Sequence, residues 1–243
     1  FLQNTDPNSN YDYYNDPKDL LDEVMGHYCT PEVQAMVQKY GLSEDQALAG
    51  ITWSAATPIY SVTCKCMRED DAEGFKKFEA FASWFLQALQ KLPDYNGIVY
   101  RAFGSKDVTY NEKVTYSAGT PICFPQFSAT ATELTQNQLD GFGKGDGALV
   151  VIDIKGGKQL LDLSLFPNES EVLLLPGWQG IVNGGAGPSM QLLGELLDLK
   201  LDAFTVVELR QADVPRRDGL IVINLRDGLK KRILANPDDI SAH

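Results

Sequence analysis

Histidine is almost missing from this chain: His27 and the terminal His243 are the only two in 243 residues. A Ser-His-Asp triad needs a positioned imidazole as its base, and His27 lies in a stretch that reads as helix. A Cys-His nucleophile fails for the same reason. A zinc hydrolase would lack its ligands, so no metal is expected. Cysteine is sparse as well, at Cys29, Cys64, Cys66 and Cys123. Four are too few for a disulfide-dense scaffold, and Cys64-Lys65-Cys66 has no second pair to complete a metal cage. They read as buried thiols or as one disulfide.

Long apolar runs are also lacking. No stretch approaches the ~20 apolar residues that would span a bilayer, so no membrane span is expected. Cations are in deficit, with 21 Lys and Arg against 33 Asp and Glu and a formal net charge of -12. Nucleic-acid affinity rests on cations that neutralise phosphates, so nucleic acid is excluded as the main partner. A small anionic ligand would need a cation placed locally. The chain opens Phe1-Leu2 without an initiator Met. That reads as a removed signal or pro-segment, or as an excised piece.

What is present is apolar patterning that changes its period along the chain. Residues 1–18 are rich in Asn, Asp, Tyr and Pro and read as a loose arm. Residues 19–60 read as helices in pieces. Thr30-Pro31 is a cap followed by Pro at the first helical position, and Tyr40-Gly41 ends that helix. Ser43 with Gln46 has the spacing of a capping box. Phe75, Phe78, Phe81, Ala82, Phe85, Leu86, Leu89 and Leu92 predict one long amphipathic helix stopped by Pro93. Its aromatic stripe reads as core.

Strands follow. The pattern predicts them at Ile98–Phe103, at Ala148–Ile154, at Val172–Leu175 before Pro176-Gly177, at Thr205–Leu209 and at Leu220–Asn224. Lys155-Gly156-Gly157-Lys158 reads as a hairpin turn into Gln159–Leu163. Met190, Leu193, Leu196 and Leu197 suggest a late helix. Helices first and strands later argue an α+β fold rather than alternating βαβ units. The glycine-rich stretches 141–147 and 184–187 read as loops. Gly141, Gly143 and Gly145 precede a strand, whereas a dinucleotide or phosphate loop lies between a strand and a helix.

Three separated segments remain to carry chemistry. They are Tyr100-Arg101 near the end of a strand, Phe127-Ser128-Ala129-Thr130, and Glu169-Ser170-Glu171-Val172-Leu173-Leu174. Around them stand Ala88–Leu92 before Tyr95-Asn96-Gly97, then Gly157-Lys158, Leu163-Ser164 and Phe166-Pro167. In this order the set resembles the Arg/Ser/Glu-x-Glu class of mono-ADP-ribosyltransferases, the cholera-toxin-like, arginine-directed branch. The resemblance covers roughly residues 50–182, and stretch 54–60 resembles that family's helical lobe more faintly. The branch with His, Tyr and Glu is disfavoured because no strand carries His.

The resemblance implies an α+β ADP-ribosyltransferase fold, with a helical N-terminal lobe and a mostly antiparallel split β-sheet core. One domain would span 19–243, the lobe about 19–95 and the core about 96–243. It implies NAD as substrate and a target protein with an acceptor arginine. It also implies a secreted toxin or an effector delivered into a host cytosol.

Physical chemistry assigns roles within that frame. Breaking the glycosidic bond of NAD builds positive charge on the ribose, and a preorganised carboxylate stabilises it. Glu171, anchored at the start of an apolar strand, would do this while holding a ribose hydroxyl. If the stretch is extended, Glu169 projects to the same face roughly 6–7 Å away. It would then hold and partly deprotonate the acceptor guanidinium. Arg101 offers a fork of donors for the NAD phosphates, flanked by Tyr100 and Ala102. Ser128, or Thr130 two residues on, would hydrogen-bond Glu171 and fix its rotamer. Phe166 is the aromatic of the acceptor loop, and Trp178 a candidate neighbouring wall.

Family members usually carry Gly where this chain has Ala102, and the serine motif reads Ser128-Ala129-Thr130 rather than Ser-Thr-Ser. Those departures keep an inactive binding copy of the fold in play. An NAD glycohydrolase, with water as acceptor, is the other alternative. Asn168-Glu169-Ser170 is also a glycosylation sequon, and a glycan there would block acceptor approach. The sequon is therefore expected to be bare, and a glycan found on Asn168 by mass spectrometry would contradict an enzymatic role.

Overall fold

Among the described residues six helices come first, and their ends follow local chemistry. The computed structural model describes residues 17–55, 57–103, 118–143, 147–185, 194–202 and 204–212. α1 spans Pro17–Tyr28 and α2 Pro31–Tyr40, with Pro31 in the first turn and Gly41 closing the helix in the left-handed conformation. α3 spans Glu44–Ser54 behind a complete capping box. The Ser43 hydroxyl accepts from the Gln46 N–H, and the Gln46 side chain accepts from the Ser43 N–H. α4 spans Pro58–Glu69, capped by Thr57.

The long helix expected from Phe75 to Leu92 is two helices. α5 is the single turn Ala72–Phe75, and α6 runs Glu79–Lys91. The Asp71 side chain accepts from the Gly74 N–H and starts the first. Phe78 takes a non-helical conformation at the start of the second. The apolar period survives the break because Phe75, Phe85 and Leu89 all face one core.

Among the described residues, seven strands follow with one more helix: β1 Asp94–Phe103, β2 Pro121–Phe124, β3 Ser128–Ala131, α7 Gln136–Gly143, β4 Ala148–Gln159, β5 Glu171–Leu174, β6 Trp178–Gly185 and β7 Thr205–Gln211. Their order is β1-β3-β5-β4-β7-β6-β2, with β1 also paired to β4. Among the described strands, only β4 and β7 run parallel. The β3–β5 pair is thinly attached to the rest. It meets β1 at Tyr100 opposite Ala131, and β4 at Lys158 and Gln159 opposite Leu173 and Val172.

The expected Gly156-Gly157 hairpin turn is instead a bulge inside β4. Tyr95 pairs with Gly157 and Asn96 with Lys155, which leaves Gly156 as the extra residue at φ 72°. The Gly156 N–H donates to the Asn96 side chain at 2.8 Å. At Gly157 a Cβ would lie 2.5 Å from Ile154 Cδ1 and 2.6 Å from Val172 Cγ1. So β4 continues where a turn was expected. The expected strand 159–163 gives way at Leu161–Leu163 to a 3-10 turn.

Two other loops differ from expectation. Gly141 and Gly143 belong to α7, and Gly184 and Gly185 to β6. The strand expected at Leu220–Asn224, residues 1–16 of the arm expected over 1–18, His243 and most of the late helix lie outside the described residues, while Pro17 and Lys18 begin α1. A helical turn occupies 194–197.

The apolar residues divide into three clusters. One joins the helical lobe to Phe127 and Leu173. A second fills the inner face of the strands with Val99, Val150, Ile152, Val172, Leu174 and Val207. A third packs α7 against Leu149 and Val206. All four cysteines are thiols, two of them buried. Among the described residues, no helix is long and apolar enough to cross a membrane.

Candidate functional site

Glu171 opens β5, and alternation along that strand decides where it points. Val172 and Leu174 join the inner cluster, while Leu173 joins the helical-lobe cluster. Glu171 shares the face of Leu173. Across the pairing it stands opposite Ala131. It lines a cleft of about 250 Å³ together with Tyr95, Thr132, Gln159, Leu161, Ser164, Pro167, Ser170 and Val172.

The group that holds Glu171 is not Ser128. Ser128 and Thr130 stand opposite Leu174 and Val172, and directly opposed residues share a face. Both hydroxyls are thus on the far side of the sheet from the Glu171 carboxyl. The Ser128 hydroxyl donates to the Gln126 carbonyl at 3.3 Å, and that of Thr130 to the Val172 carbonyl at 2.5 Å. The Glu171 carboxylate instead accepts from the indole Nε1–H of Trp53 on α3, at 3.3 Å. The sequence offers no spacing that links these two, which lie 118 residues apart.

Trp53 is buried and held on three sides. It stacks on Phe85 at 4.7 Å, meets Phe127 edge-on at 5.5 Å and Tyr60 edge-on at 5.9 Å. The aromatic stripe of α6 is core, as its spacing suggested, and that core orients the indole.

Arg101 lies on the inner face of β1 between Val99 and Phe103. Its guanidinium sits 4.8 Å from the Phe103 ring centre and donates to the Ala129 carbonyl, bridging β1 to β3. Tyr100 and Ala102 point the other way, into the α7 cluster. The side chains of Tyr100 and Ala102 are therefore not on Arg101's face. The methyl of Ala102 does not crowd that face either.

Electrostatics distinguish Glu171 from ordinary surface acids. Burial pushes its carboxyl up from 4.5 to about 7, and the like charge of Glu169 adds to the rise. The Trp53 hydrogen bond and the Arg101 charge act downward. Burial also raises Glu169.

Glu169 is not on an extended strand with Glu171. Pro167–Glu169 is a 3-10 turn, and Ser170 is left-handed at φ 49°. The two carboxylates therefore do not share one face by strand alternation. Proline at the first position of the turn and the Ser170 kink set this path.

The helical lobe steadies the approach to that turn. The Leu165 N–H donates to the Ser54 hydroxyl at 2.9 Å, and His27 Nε2 lies 2.8 Å from the Asp162 carbonyl. α3 comes so close that a Cβ on Gly50 would lie 2.7 Å from Leu163 Cδ1. Phe166 is 48% exposed at the start of the turn. Trp178 is core rather than a wall of the cleft, stacked on Phe124 at 5.3 Å and donating to the Gln211 side chain. Among the described residues, no cluster of three or more His, Cys, Asp or Glu side chains is placed to hold a metal ion.

No protein-family model matches this chain, and no curated protein matches it. Solved structures do. The ADP-ribosyltransferase HopU1 of Pseudomonas syringae pv. Tomato is 16% identical, with a TM-score of 0.57 over 79% of this chain and 87% of that one. The type III effector XopAI of Xanthomonas axonopodis pv. citri is 18% identical, with a TM-score of 0.57 over 80% of this chain and 78% of that one. Exoenzyme S of Pseudomonas aeruginosa, solved with human 14-3-3 protein beta and bound to Carba-NAD, is 14% identical. Its TM-score is 0.52 over 90% of this chain and 98% of that one. The α+β fold expected from the sequence is the one found, that of the mono-ADP-ribosyltransferases.

Proposed function

We propose that this chain is an NAD-dependent mono-ADP-ribosyltransferase that modifies an arginine of a target protein, acting as a toxin or effector. The observation that carries the reading is Glu171. It is a half-buried carboxylate in a cleft, held by Trp53 and within electrostatic reach of Arg101, on this fold. The Carba-NAD bound to the structurally similar exoenzyme S supports NAD as the donor.

In this reading the bond between the ribose C1′ and the nicotinamide nitrogen breaks, and nicotinamide leaves with the electron pair. The Glu171 carboxylate stabilises the positive charge left on the ribose. An acceptor guanidinium nitrogen forms the new bond at C1′ and gives up a proton, with Glu169 as the base. Arg101 provides local positive charge for the diphosphate in a chain whose net charge is -12. Phe166 offers an exposed aromatic beside the acceptor's path.

The test is incubation with NAD labelled in its adenylate half, in the presence of a host-cell lysate. Released nicotinamide and label on protein arginine are expected. Label on other side chains would overturn arginine as the acceptor, and absence of nicotinamide release would overturn the enzyme reading. Hydrolysis is the second reading. It is favoured by the turn at Pro167–Glu169, which does not align Glu169 with Glu171 on one strand. Label appearing only in free ADP-ribose would select it.

A pH dependence follows from the burial of Glu171. Its carboxyl titrates at about 7, and only the ionised form can stabilise ribose cation character. The kcat/KM for nicotinamide release is expected to fall as pH drops through about 7. The sign for stability is opposite. A carboxyl raised above its unfolded value adds stability below that value and loses it as pH rises through about 7. A rate flat from pH 5 to pH 8 would remove Glu171 as the ionising group.

A further inference from the structure

A catalytic carboxylate partly withdrawn from water needs a donor to favour its ionised form at neutral pH. Ser128 cannot be that donor, because its hydroxyl is on the opposite face of the sheet and spent on the Gln126 carbonyl. Among the described residues, Trp53 alone gives Glu171 a side-chain hydrogen bond. It comes from the helical lobe rather than from the strands.

We infer that Trp53 is the positioning residue of this site: its indole N–H, aimed from α3, fixes the Glu171 carboxyl and favours its ionised form. Its consequence for catalysis rests on the proposed function; the contact itself does not.

Three observations support the assignment. The indole ring has little freedom, being stacked on Phe85 and crossed edge-on by Phe127 and Tyr60. An indole is donor only, so this bond is stronger to the charged carboxylate than to the neutral acid, whose carbonyl oxygen can still accept, and it favours ionisation. The remaining charges that bear on the carboxyl are Glu169, from the turn before β5, and Arg101, from β1. They act in opposite directions. Ala131, facing Glu171 from β3, carries no charge. The indole thus acts in the same direction as Arg101, against burial and Glu169.

The geometry also places a joint between lobe and core at the reacting carboxylate. α3 meets the Leu161–Leu163 turn at Gly50 and Leu165 at Ser54. Trp53 lies on the same helix, so the segment that carries the acid's donor also anchors the chain just before the Pro167–Glu169 turn.

The experiment is a carboxyl titration by carbon-13 NMR of the whole chain, with Glu171→Gln assigning the signal, repeated in Trp53→Phe. Phenylalanine keeps an aromatic ring against Phe85 and removes the N–H together with part of the indole's volume. The Glu171 midpoint is expected to move up by about one pH unit in Trp53→Phe. Ionised fractions at the two midpoints then predict nicotinamide release about fivefold lower at pH 7 but within about twofold of the parent at pH 9.

An unmoved midpoint would overturn the assignment, as would a loss equal at both pH values. If Trp53→Phe fails to fold, the parent chain decides. The nitrogen-15 and proton shifts of one indole N–H should titrate with the Glu171 midpoint and stop titrating in Glu171→Gln. No such indole would overturn the assignment. A parent chain that cleaves no NAD at any pH would refute the proposed function, while the two titrations would still decide the role of Trp53.

Discussion

Glu171→Gln is expected to lower nicotinamide release by about 10²–10³-fold, the magnitude seen when one preorganised electrostatic group is removed from a transition state. The substitution keeps the shape of the side chain. Its amide oxygen can still accept from the Trp53 indole, so the cleft need not collapse. Burial disfavours the charged form of the native acid. A neutral amide therefore relieves a cost instead of adding one, and the melting temperature at pH 8 should be equal or higher. This pairing of lost activity with retained stability is characteristic of a site that stores unfavourable charge for function. A variant within tenfold of the parent rate would remove Glu171 from its role. A variant inactive because it has unfolded would point to structure instead.

The strand that carries Glu171 was legible because it is short, apolar and closed by Pro176-Gly177. Its helical lobe was legible from caps: Pro31, Gly41 and the Ser43–Gln46 box all act where their chemistry suggests. Other features were hidden because tertiary contacts decided them. Lys155-Gly156-Gly157-Lys158 has hairpin chemistry, yet the glycines serve a bulge against β1 and a close approach to Val172. Phe75 and Phe85 keep helical phase across a break, so periodicity alone could not reveal Phe78 as the joint. The face of Ser128 was settled by register against β5, a property of pairing and not of either segment. Trp53 was invisible for the same reason. Nothing local marks it, since its role comes from a stack on α6 and from a partner 118 residues away.

Glu169→Gln is expected to separate the two halves of the proposed reaction. Label on protein arginine should fall by about 10²-fold or more, within the span measured for loss of a general base. Nicotinamide release in the absence of an acceptor should stay within a few-fold of the parent. The reason lies in the turn. Glu169 ends the 3-10 turn just before the left-handed Ser170, so strand alternation does not set its side chain parallel to that of Glu171. It touches Glu171 only through charge, and there it acts to keep protons on. Removing that charge should therefore move the acid limb of NAD cleavage slightly to lower pH, in the direction opposite to Trp53→Phe. The two variants thus give opposite pH signatures around one carboxylate, and their combination should partly cancel. Comparable losses of transfer and hydrolysis in Glu169→Gln would show that it serves Glu171 and not the acceptor. The arginine reading would then lose its base, and water would become the better-supported acceptor.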